Sequence, residues 1–324
     1  MSHSDSNSAP GSAVLPRNDP ESVLRRLEWT VIRRLDGILQ GDYRTLFRGF
    51  GLDLADLREY QLHDDVRYID WNVTARMQTP HVREFQEDRE VAAWFLLDLS
   101  GSVDFGSHDM RKCAVSAEFV TVLARLLTRC GNRVGALLYR NGTEAVIPPR
   151  GSRRHVLHLL ARMLRRGEPE TGRETDLSEL IEQAQRVIKQ RSVVFLVSDF
   201  ISKPGWARGL TLLARRHEVV AVRLYDPVEV ELPDLGFVVL QDAETGEQMY
   251  LDTGERDFRR RFAEAASRRE VALRGALAEA GVDCLELATD ERLVEALLRF
   301  IGLRKQRSRL AAGAGAGARR LRTD

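Results

Sequence analysis

The chain has 324 residues and a mass of 36.7 kDa, with 49 basic and 48 acidic side chains and a formal charge of +1. This balance excludes the strong net electric field expected of a protein that binds nucleic acid or anionic lipid through overall charge. Apolar residues make up 43%, which is enough for a sizeable core, and the length favours one or two domains.

The cysteines and the apolar runs indicate the cellular compartment. Cys113, Cys130 and Cys284 form no CxxC pair and no metal-ligand spacing, so we expect reduced thiols. The N-terminal residues are polar and lack the apolar run of a secretory signal. The longest apolar run, Val91–Leu97, is far shorter than the ~20 residues needed to cross a bilayer. These features predict a cytoplasmic protein without a transmembrane segment.

The first ninety residues divide into three predicted segments. Residues 1–20 are rich in Ser, Asn and Pro and are expected to be a disordered leader. Apolar residues at helical spacing predict a helix over 21–41. Residues 42–90 are dense in charges and aromatics, with short β-like pieces around 57–60 and 81–85. Their apolar residues are too few for a separate core, so we expect this segment to pack on the following domain.

From residue 91 to residue 301, apolar strands alternate with amphipathic helices. Buried strands are predicted over 91–98, 133–139, 192–199, 218–226 and 284–287, with an edge piece over 144–149. Helices are predicted over 110–130, 152–166, 177–189, 206–216 and 256–280, and a hairpin is predicted around the turn 244–246. This alternation indicates a doubly wound, mostly parallel α/β sheet whose working site lies at the carboxyl ends of the strands. The basic, low-complexity tail 302–324 is predicted to be unstructured.

Oxygen-bearing side chains cluster at the predicted strand and loop ends. Asp98, Ser100 and Ser102 follow the first buried strand, Asp199 follows the third, and Thr175 precedes a helix. Carboxylates and hydroxyls suit Mg²⁺, Mn²⁺ or Ca²⁺. If the hydroxyls bound the ion directly and both carboxylates acted through water, the ion would keep much of its positive charge and an open coordination position. A carboxylate of a partner could then bind there. That arrangement favours a non-enzymatic binding site over a catalytic one, because no general base is obvious beside it.

Three other interpretations of these residues stay open. The serines, Asp98 and Thr175 could act as helix caps, which their residue types favour. A metal-dependent hydrolase or phosphotransferase could use Asp98 as nucleophile, although Ser100 stands where the haloacid-dehalogenase class needs a second carboxylate. The domain could also be a structural scaffold whose metal site is degenerate.

Two family resemblances follow from these residues. The ordered set Asp98-x-Ser100-x-Ser102, Thr175 and Asp199 resembles the metal-ion-dependent adhesion site (MIDAS) of von Willebrand factor A domains. The segment 57–90 resembles the signature of the bacterial family called domain of unknown function 58, in which it precedes a von Willebrand A-like domain. The matching positions are Arg58, Glu59, Tyr60, Asp64, Asp65, Arg67, Ile69, Asp70, Trp71, Ala75 and Arg76. His63 departs from the glycine usual in the family, so the local turn can differ.

The second resemblance implies a role and a partner. Members of the family are commonly encoded beside MoxR-type AAA+ ATPases, which implies a module that couples such an ATPase to the assembly or maturation of client proteins. The implied cofactor is a divalent cation, Mg²⁺ in the first place and Mn²⁺ or Ca²⁺ otherwise. We expect the charged signature residues to form a structural ion-pair lattice, and Trp71 to be a packing anchor.

Overall fold

The computed structural model describes residues 19–39, 56–61, 79–84, 92–107, 110–140, 142–165, 174–241 and 247–320, with isolated positions between 66 and 75. The rest, which includes nearly all of the predicted leader and most of segment 42–90, lies outside the described residues.

Ten strands are described, and six of them form the central sheet. The strands are β1 (Asp56–Glu59), β2 (His81–Glu84), β3 (Ala93–Asp98), β4 (Val134–Tyr139), β5 (Thr143–Arg150), β6 (Val193–Ser198), β7 (Glu218–Tyr225), β8 (Phe237–Gln241), β9 (Gln248–Asp252) and β10 (Asp283–Ala288). The helices are α1 (Pro20–Leu27), α2 (Arg33–Leu39), α3 (Lys112–Arg129), α4 (Arg153–Met163), α5 (Leu177–Val187), α6 (Trp206–Arg216), α7 (Arg256–Glu279) and α8 (Leu293–Arg320). The ends differ from the predicted bounds by a few residues, as expected where helices and strands fray.

The central sheet has the order β10-β7-β6-β3-β4-β5. Neighbouring strands are parallel except for the edge strand β5, which runs antiparallel to β4. Numbered along the chain within this sheet and read from the β5 edge, the strands follow 3-2-1-4-5-6, the doubly wound order. The predicted fold class is therefore confirmed, with the von Willebrand A-like arrangement of a mostly parallel sheet between two helical layers.

Both faces of the sheet are covered, which explains why its inner strands are continuously apolar. Successive side chains of a strand point to opposite faces. Phe95 and Leu97 of β3 pack with α1, α3, α4 and the start of α8. Trp94 and Leu96 pack with α5, α6 and the end of α7. Strand β3 lies at the centre of the sheet, and all six of its side chains are buried.

Three phenylalanines form the middle of one core layer. The rings of Phe95 and Phe195 stack at 5.2 Å between centroids on the neighbouring strands β3 and β6. Phe119 of α3 meets them edge-on, at 6.3 Å from Phe95 and 6.1 Å from Phe195. Edge-to-face and offset-stacked pairs stabilise beyond the apolar area that they bury. This trio fixes α3 over the two strands whose carboxyl ends carry Asp98 and Asp199.

The predicted N-terminal helix packs on the same layer. It consists of α1, a π-helical turn at Glu28–Ile32 and α2. Leu27, Ile32 and Leu35 of this helix are buried in the core that α3 and α4 share. Glu28 accepts a hydrogen bond at 2.6 Å from Arg125 of α3, and Glu21 accepts one at 2.7 Å from Arg153 of α4. Apolar burial and ion pairing thus join this helix to the sheet domain.

Two further pairs of strands lie outside the central sheet. Strands β1 and β2 pair antiparallel in the signature segment, with Glu59 opposite His81, as the β-like pieces predicted. Strands β8 and β9 form the predicted hairpin, and its turn at 242–246 lies outside the described residues.

The C-terminal prediction was wrong. Residues after Gly302 were expected to be unstructured, but α8 continues to Arg320. Arg304 donates to Asp283 at 2.6 Å and also pairs with Glu218, so part of the basic tail contacts the sheet. Leu, Arg, Lys, Gln and Ala are strong helix formers, and they extend a helix whose first turns are already packed. Across the described helices, none is both long and apolar enough to cross a membrane.

Replacing Phe95 by Ala should lower the free energy of unfolding by ~3–5 kcal/mol, because the cavity would open in the middle of the phenylalanine trio. Urea unfolding measures the change. The control is Leu212→Ala, a substitution at a side chain 46% exposed on α6, which should stay within about 0.5 kcal/mol of the wild type. Equal losses in the two variants would contradict this description of the core.

Candidate metal centre

The first part of the site lies where β3 ends. Asp98 is the last residue of the strand and is completely buried. Its Oδ1 accepts a hydrogen bond at 3.0 Å from the backbone N–H of Ser100, which forms an Asx turn. The turn places the hydroxyls of Ser100 and Ser102 3.1 Å apart. Ser100 precedes a 3₁₀ turn but makes no side-chain capping bond there, which argues against the capping interpretation.

The end of the neighbouring strand β6 repeats this local geometry. Asp199 Oδ1 accepts a hydrogen bond at 3.0 Å from the backbone N–H of Ile201. Between the two aspartates lies Ser198, whose hydroxyl donates to Asp98 Oδ2 at 2.6 Å and accepts from the Phe200 N–H at 2.9 Å. Phe200 has a φ of 60°, an uncommon conformation that costs energy in a non-glycine residue, and strained residues of this kind cluster at functional sites. The backbone is thus held in a strained form beside Asp199.

A buried lysine occupies the other side of Asp199. Lys112, the first residue of α3, has a side chain that is 0% exposed. Its Nζ lies 2.7 Å from Asp199 Oδ2 and 2.6 Å from Glu229 Oε1. Burial opposes the ammonium form, but the carboxylates of Asp199 and Glu229 outweigh it and raise the pKa of Lys112. The lysine therefore stays charged and joins the loops that follow β6 and β7.

The charges of this cluster do not balance. Asp98, Asp199 and Glu229 bring three carboxylates, and Lys112 is the only cation recorded in contact with them among the described residues. Burial raises the pKa of Asp98 to about 6, and the negative charge of Asp199 adds to this effect. Hydrogen bonds from Ser198 and Ser100 work in the opposite direction without compensating it. The cluster therefore has a surplus of negative charge in a buried place.

Thr175 reaches the same edge of the sheet through its backbone. It is buried, and its carbonyl oxygen accepts from the Lys203 N–H at 2.9 Å and from the Ser202 hydroxyl at 3.2 Å. The cap of helix α5 is Asp176, whose side chain accepts from the Ser178 N–H. The interpretation of Thr175 as that helix's cap is thus wrong, because the cap lies one residue later.

A third strand-end aspartate has a different role. Asp226 follows β7, is completely buried, and accepts hydrogen bonds from the Ser107 N–H and hydroxyl at 2.9 and 2.6 Å. Thr289 and the Val228 N–H donate to it at 2.7 and 3.0 Å. Burial works against its ionised form, but these donors prevail and lower the pKa of Asp226. Its acceptor capacity is used to connect the loops after β3, β7 and β10.

The structure describes few side chains of the signature residues. Asp64, Asp65, Arg67, Asp70 and Arg76 lie outside the described residues, and so does the side chain of Arg58. Glu59 is exposed, and the Tyr60 N–H donates to the Pro80 carbonyl at 2.8 Å. The expectation that Trp71 is a packing anchor was wrong, because its side chain is 69% exposed. An indole anchors a fold only where other apolar side chains cover it, and this charged segment offers few.

Sequence reasoning missed Lys112, Ser198 and Glu229. Ser198 directly precedes Asp199, so its place beside the candidate site could have been predicted from the sequence. Lys112 carries a weaker signal, as one of only four lysines and the start of the apolar helix KCAVSAEFV. Glu229 lies in a loop 117 residues from Lys112, and no local pattern indicates their contact.

The residues present suit a hard divalent cation. The donor set consists of hydroxyls and carboxylates, the ligands that Mg²⁺, Mn²⁺ and Ca²⁺ prefer. The buried surplus of negative charge is the kind of environment that a cation stabilises. Among the described residues no group of three or more His, Cys, Asp or Glu has metal-binding geometry, so any site here would depend on the hydroxyls. The assignment of these five residues as metal ligands remains a prediction.

Comparison with known families agrees with the sequence signature. The sequence profile of the family described as "Protein of unknown function DUF58" matches residues 56–272. The chain belongs to this family. The DUF58 match covers the signature strands, the site at the ends of β3 and β6, and most of α7.

Relatives of this DUF58 protein include mycobacterial proteins. Uncharacterized proteins of Mycobacterium tuberculosis and Mycobacterium bovis are each 36% identical over 293 residues, which cover 89% of this chain and 92% of theirs. A protein of Mycobacterium avium is 34% identical over 162 residues, 49% of this chain and 94% of its own.

Similar solved structures are more distant. The conserved hypothetical protein BatB of Bacteroides thetaiotaomicron covers 67% of this chain and 99% of its own at 15% identity, with a TM-score of 0.42. The VWA domain of SpRpn10 covers 65% and 94% at 13% identity, with a TM-score of 0.35. TM-scores below 0.5 do not support a structural argument, and the fold is assigned from its own strand order.

Replacing Asp98 by Asn should change how stability depends on pH in metal-free buffer. The folded pKa of about 6 lies above the ordinary value of 3.8, so the contribution of Asp98 to stability is full below 3.8 and is lost as the pH rises through 6. The wild type should therefore lose on the order of 3 kcal/mol relative to the Asn variant between about pH 4 and pH 7.

Urea unfolding across this pH range measures the difference. Asp226→Asn is the matched control, because its lowered pKa confines its own effect to pH values below the ordinary 3.8. If the free energies of unfolding of the wild type and of Asp98→Asn changed with pH in the same way, the pKa of Asp98 would not be raised in the folded protein.

Replacing Lys112 by Met should lower the free energy of unfolding by ~3–5 kcal/mol, because Asp199 and Glu229 would lose their buried counter-charge. The control is Lys203→Met, since Lys203 is exposed and lies 3.9 Å from an exposed Glu174; that change should cost less than about 1 kcal/mol. Similar losses in both variants, measured by chemical unfolding, would refute a structural role for the buried ammonium.

Proposed function

We propose that this chain is a non-enzymatic, metal-dependent protein-binding module. The hydroxyls of Ser100, Ser102 and Thr175 would hold a divalent cation directly, and Asp98 and Asp199 would hold it through water. When bound, the ion would offer an open coordination position to a carboxylate of a partner protein. The partner would be a MoxR-type AAA+ ATPase, or a client that this ATPase helps to assemble or mature.

One observation carries the metal part of the proposal. Two hydroxyls 3.1 Å apart lie beside buried carboxylates whose negative charge Lys112 only partly balances. Hydroxyl ligands would leave most of the positive charge on the ion, which favours recruitment of a further carboxylate. The carboxyl edge of a doubly wound sheet is also where such folds place their ligands.

The surroundings of Asp98 support binding rather than catalysis. A carboxylate nucleophile must reach its substrate, but Asp98 is completely buried and both of its oxygens accept hydrogen bonds. Asp199 is likewise held by Lys112 and the Ile201 N–H. This arrangement disfavours a hydrolase or phosphotransferase that uses Asp98.

Lys112 favours a second candidate, a scaffold that works without metal. Its ammonium, 2.7 Å from Asp199, supplies to one carboxylate the positive charge that an ion would otherwise bring. In that case the edge of the sheet would be a preformed binding surface whose shape does not depend on a cation.

Thermal unfolding with and without Mg²⁺, Mn²⁺ or Ca²⁺ separates the two candidates. A cation bound only to the folded state should stabilise it by ~2.7 kcal/mol at a hundredfold excess over Kd. We expect this gain in the wild type and its loss in the Ser100→Ala/Ser102→Ala variant. Ser192→Ala is the control, because this buried serine lies at the opposite end of β6 and donates to the Gln190 carbonyl. No gain at millimolar metal would leave the metal-free scaffold as the function.

Binding to the ATPase is tested separately, with a purified MoxR-type AAA+ ATPase of the same organism. We expect Mg²⁺ to promote the complex, and EDTA or the double serine variant to weaken it. Binding that survives both treatments would disprove the metal bridge. A metal-stabilised protein that does not bind the ATPase would instead disprove the partner. The support for this partner is family membership alone, which is why its test is independent of the metal test.

A further inference from the structure

The β8–β9 hairpin presents an uncovered apolar face. Its strands pair antiparallel, with Val239 opposite Tyr250 and Phe237 opposite Asp252. Alternate residues of a strand share a face, so Phe237, Val239 and Tyr250 lie together on one side. Their exposed fractions are 86%, 52% and 78%. Exposed apolar patches of this kind mark interaction sites in natural proteins.

The hairpin is fixed at its base. Thr253 is completely buried; its hydroxyl and its N–H donate to the Gly236 carbonyl, each at 2.8 Å. The same hydroxyl accepts from the Leu235 N–H at 2.9 Å. Arg259 of α7 donates to the Thr253 carbonyl and lies 3.3 Å from Asp234. These contacts hold the strands in place while leaving the face above them open.

Neither edge of the hairpin carries a third strand within the described chain. It forms a two-stranded sheet of its own, so within the described chain each of its strands pairs only with the other. A two-stranded hairpin gains stability from further strands. An extended segment can add to such an edge through main-chain hydrogen bonds, while its alternate side chains contact the apolar face.

The charged side chains in the sequence around the hairpin are all acidic. Between Asp226 and Glu255 the sequence has nine acidic residues and no Lys, Arg or His. Three of the nine are already engaged: Asp226 by hydrogen-bond donors, Glu229 by Lys112 and Asp234 by Arg259. Asp252 and Glu255 are exposed beside the apolar face. A segment that pairs here would place its own charged side chains among these acids, and basic residues would be attracted while acidic ones would be repelled.

The topology places the hairpin at the same edge of the sheet as Asp98 and Asp199. Strand β7 ends at this edge. Because β10 is parallel to β7, the chain must return to the opposite edge before β10 begins, and α7 makes this return. Helix α7 therefore starts at the edge where β7 ends. The hairpin connects the two. Glu229, at the beginning of this connection, is held by Lys112. One partner could therefore contact the hairpin and the candidate metal centre together, although the hairpin surface does not depend on a metal.

We propose that the β8–β9 hairpin is the docking surface for an extended segment of a partner protein in which apolar residues alternate with Lys or Arg. The segment adds as a third strand, packs its apolar side chains on Phe237, Val239 and Tyr250, and pairs its basic side chains with the surrounding acids.

The test uses the full chain and three fluorescent peptides of equal length, in which Val and Tyr alternate with Lys, with Glu or with Ser. Fluorescence anisotropy should show that the Lys peptide binds about tenfold or more tightly than the other two, and less tightly as salt is added. The variant Phe237→Thr/Val239→Thr/Tyr250→Thr should lose this binding, because Thr keeps the preference for strands but removes the apolar face. The variant Asp252→Asn/Glu255→Gln should weaken the Lys peptide and leave the Ser peptide unchanged.

Val271→Ala is the matched control, since Val271 is an apolar residue 68% exposed on α7, outside the hairpin; it should bind the Lys peptide as the wild type does. Circular dichroism and the metal-induced thermal shift of the triple Thr variant should match the wild type, which separates loss of docking from loss of the fold or of the metal site. Equal binding of the three peptides, or unchanged binding by the triple variant, would overturn the proposal. So would sedimentation showing a wild-type dimer that the triple variant converts to monomer, because the occupant would then be a second copy of the chain.

Discussion

The ammonium of Lys112 is the interaction on which the carboxyl edge of the sheet depends. A fully buried cation is tolerated only where carboxylates reach it, and here they come from the loop after β6 and the loop after β7. Lys112 is the first residue of α3. The same helix carries Phe119, which packs against Phe95 and Phe195 and so fixes the helix over β3 and β6. The position of the helix in the core and the position of the buried Asp199 at the carboxyl edge of the sheet are thus coupled through one side chain.

This coupling explains the contrast between the three aspartates that follow parallel strands. Asp226 is saturated with hydrogen-bond donors and serves as a fixed connector. Asp199 is neutralised in part by Lys112. Asp98 receives hydrogen bonds but contacts no cation among the described residues, and burial raises its pKa. Asp98, the aspartate that contacts Ser100, therefore has the least compensation for its negative charge of the three within the described part of the chain.

Much of the fold could be predicted from the sequence, because burial on both faces makes a strand such as 93–98 continuously apolar and easy to recognise. Asp98, Ser100 and Asp199 were located for a related reason, since polar residues directly after such strands must lie at one edge. The contacts of Lys112 could not be predicted, because they join residues 87 and 117 positions apart. Trp71 was misjudged because residue type alone does not show whether apolar neighbours will cover it. The tail was predicted to be unstructured from its alternating glycine and alanine, but the Arg, Lys, Gln and Leu that precede them favour a helix.

The packing of the N-terminal helix has a consequence for what counts as one folding unit. The family profile spans residues 56–272, yet Leu27, Ile32 and Leu35 lie in the same core as Phe95, and so do Leu285 and Phe300 beyond the other end. The residues that share this core thus extend beyond both ends of the family profile. A chain cut to the limits of the profile would lack the edge strand β10 and expose the apolar layer that α1, α2 and α8 cover. The flanking segments therefore belong to the same folding unit as the profile region, because they supply apolar surface that completes its core.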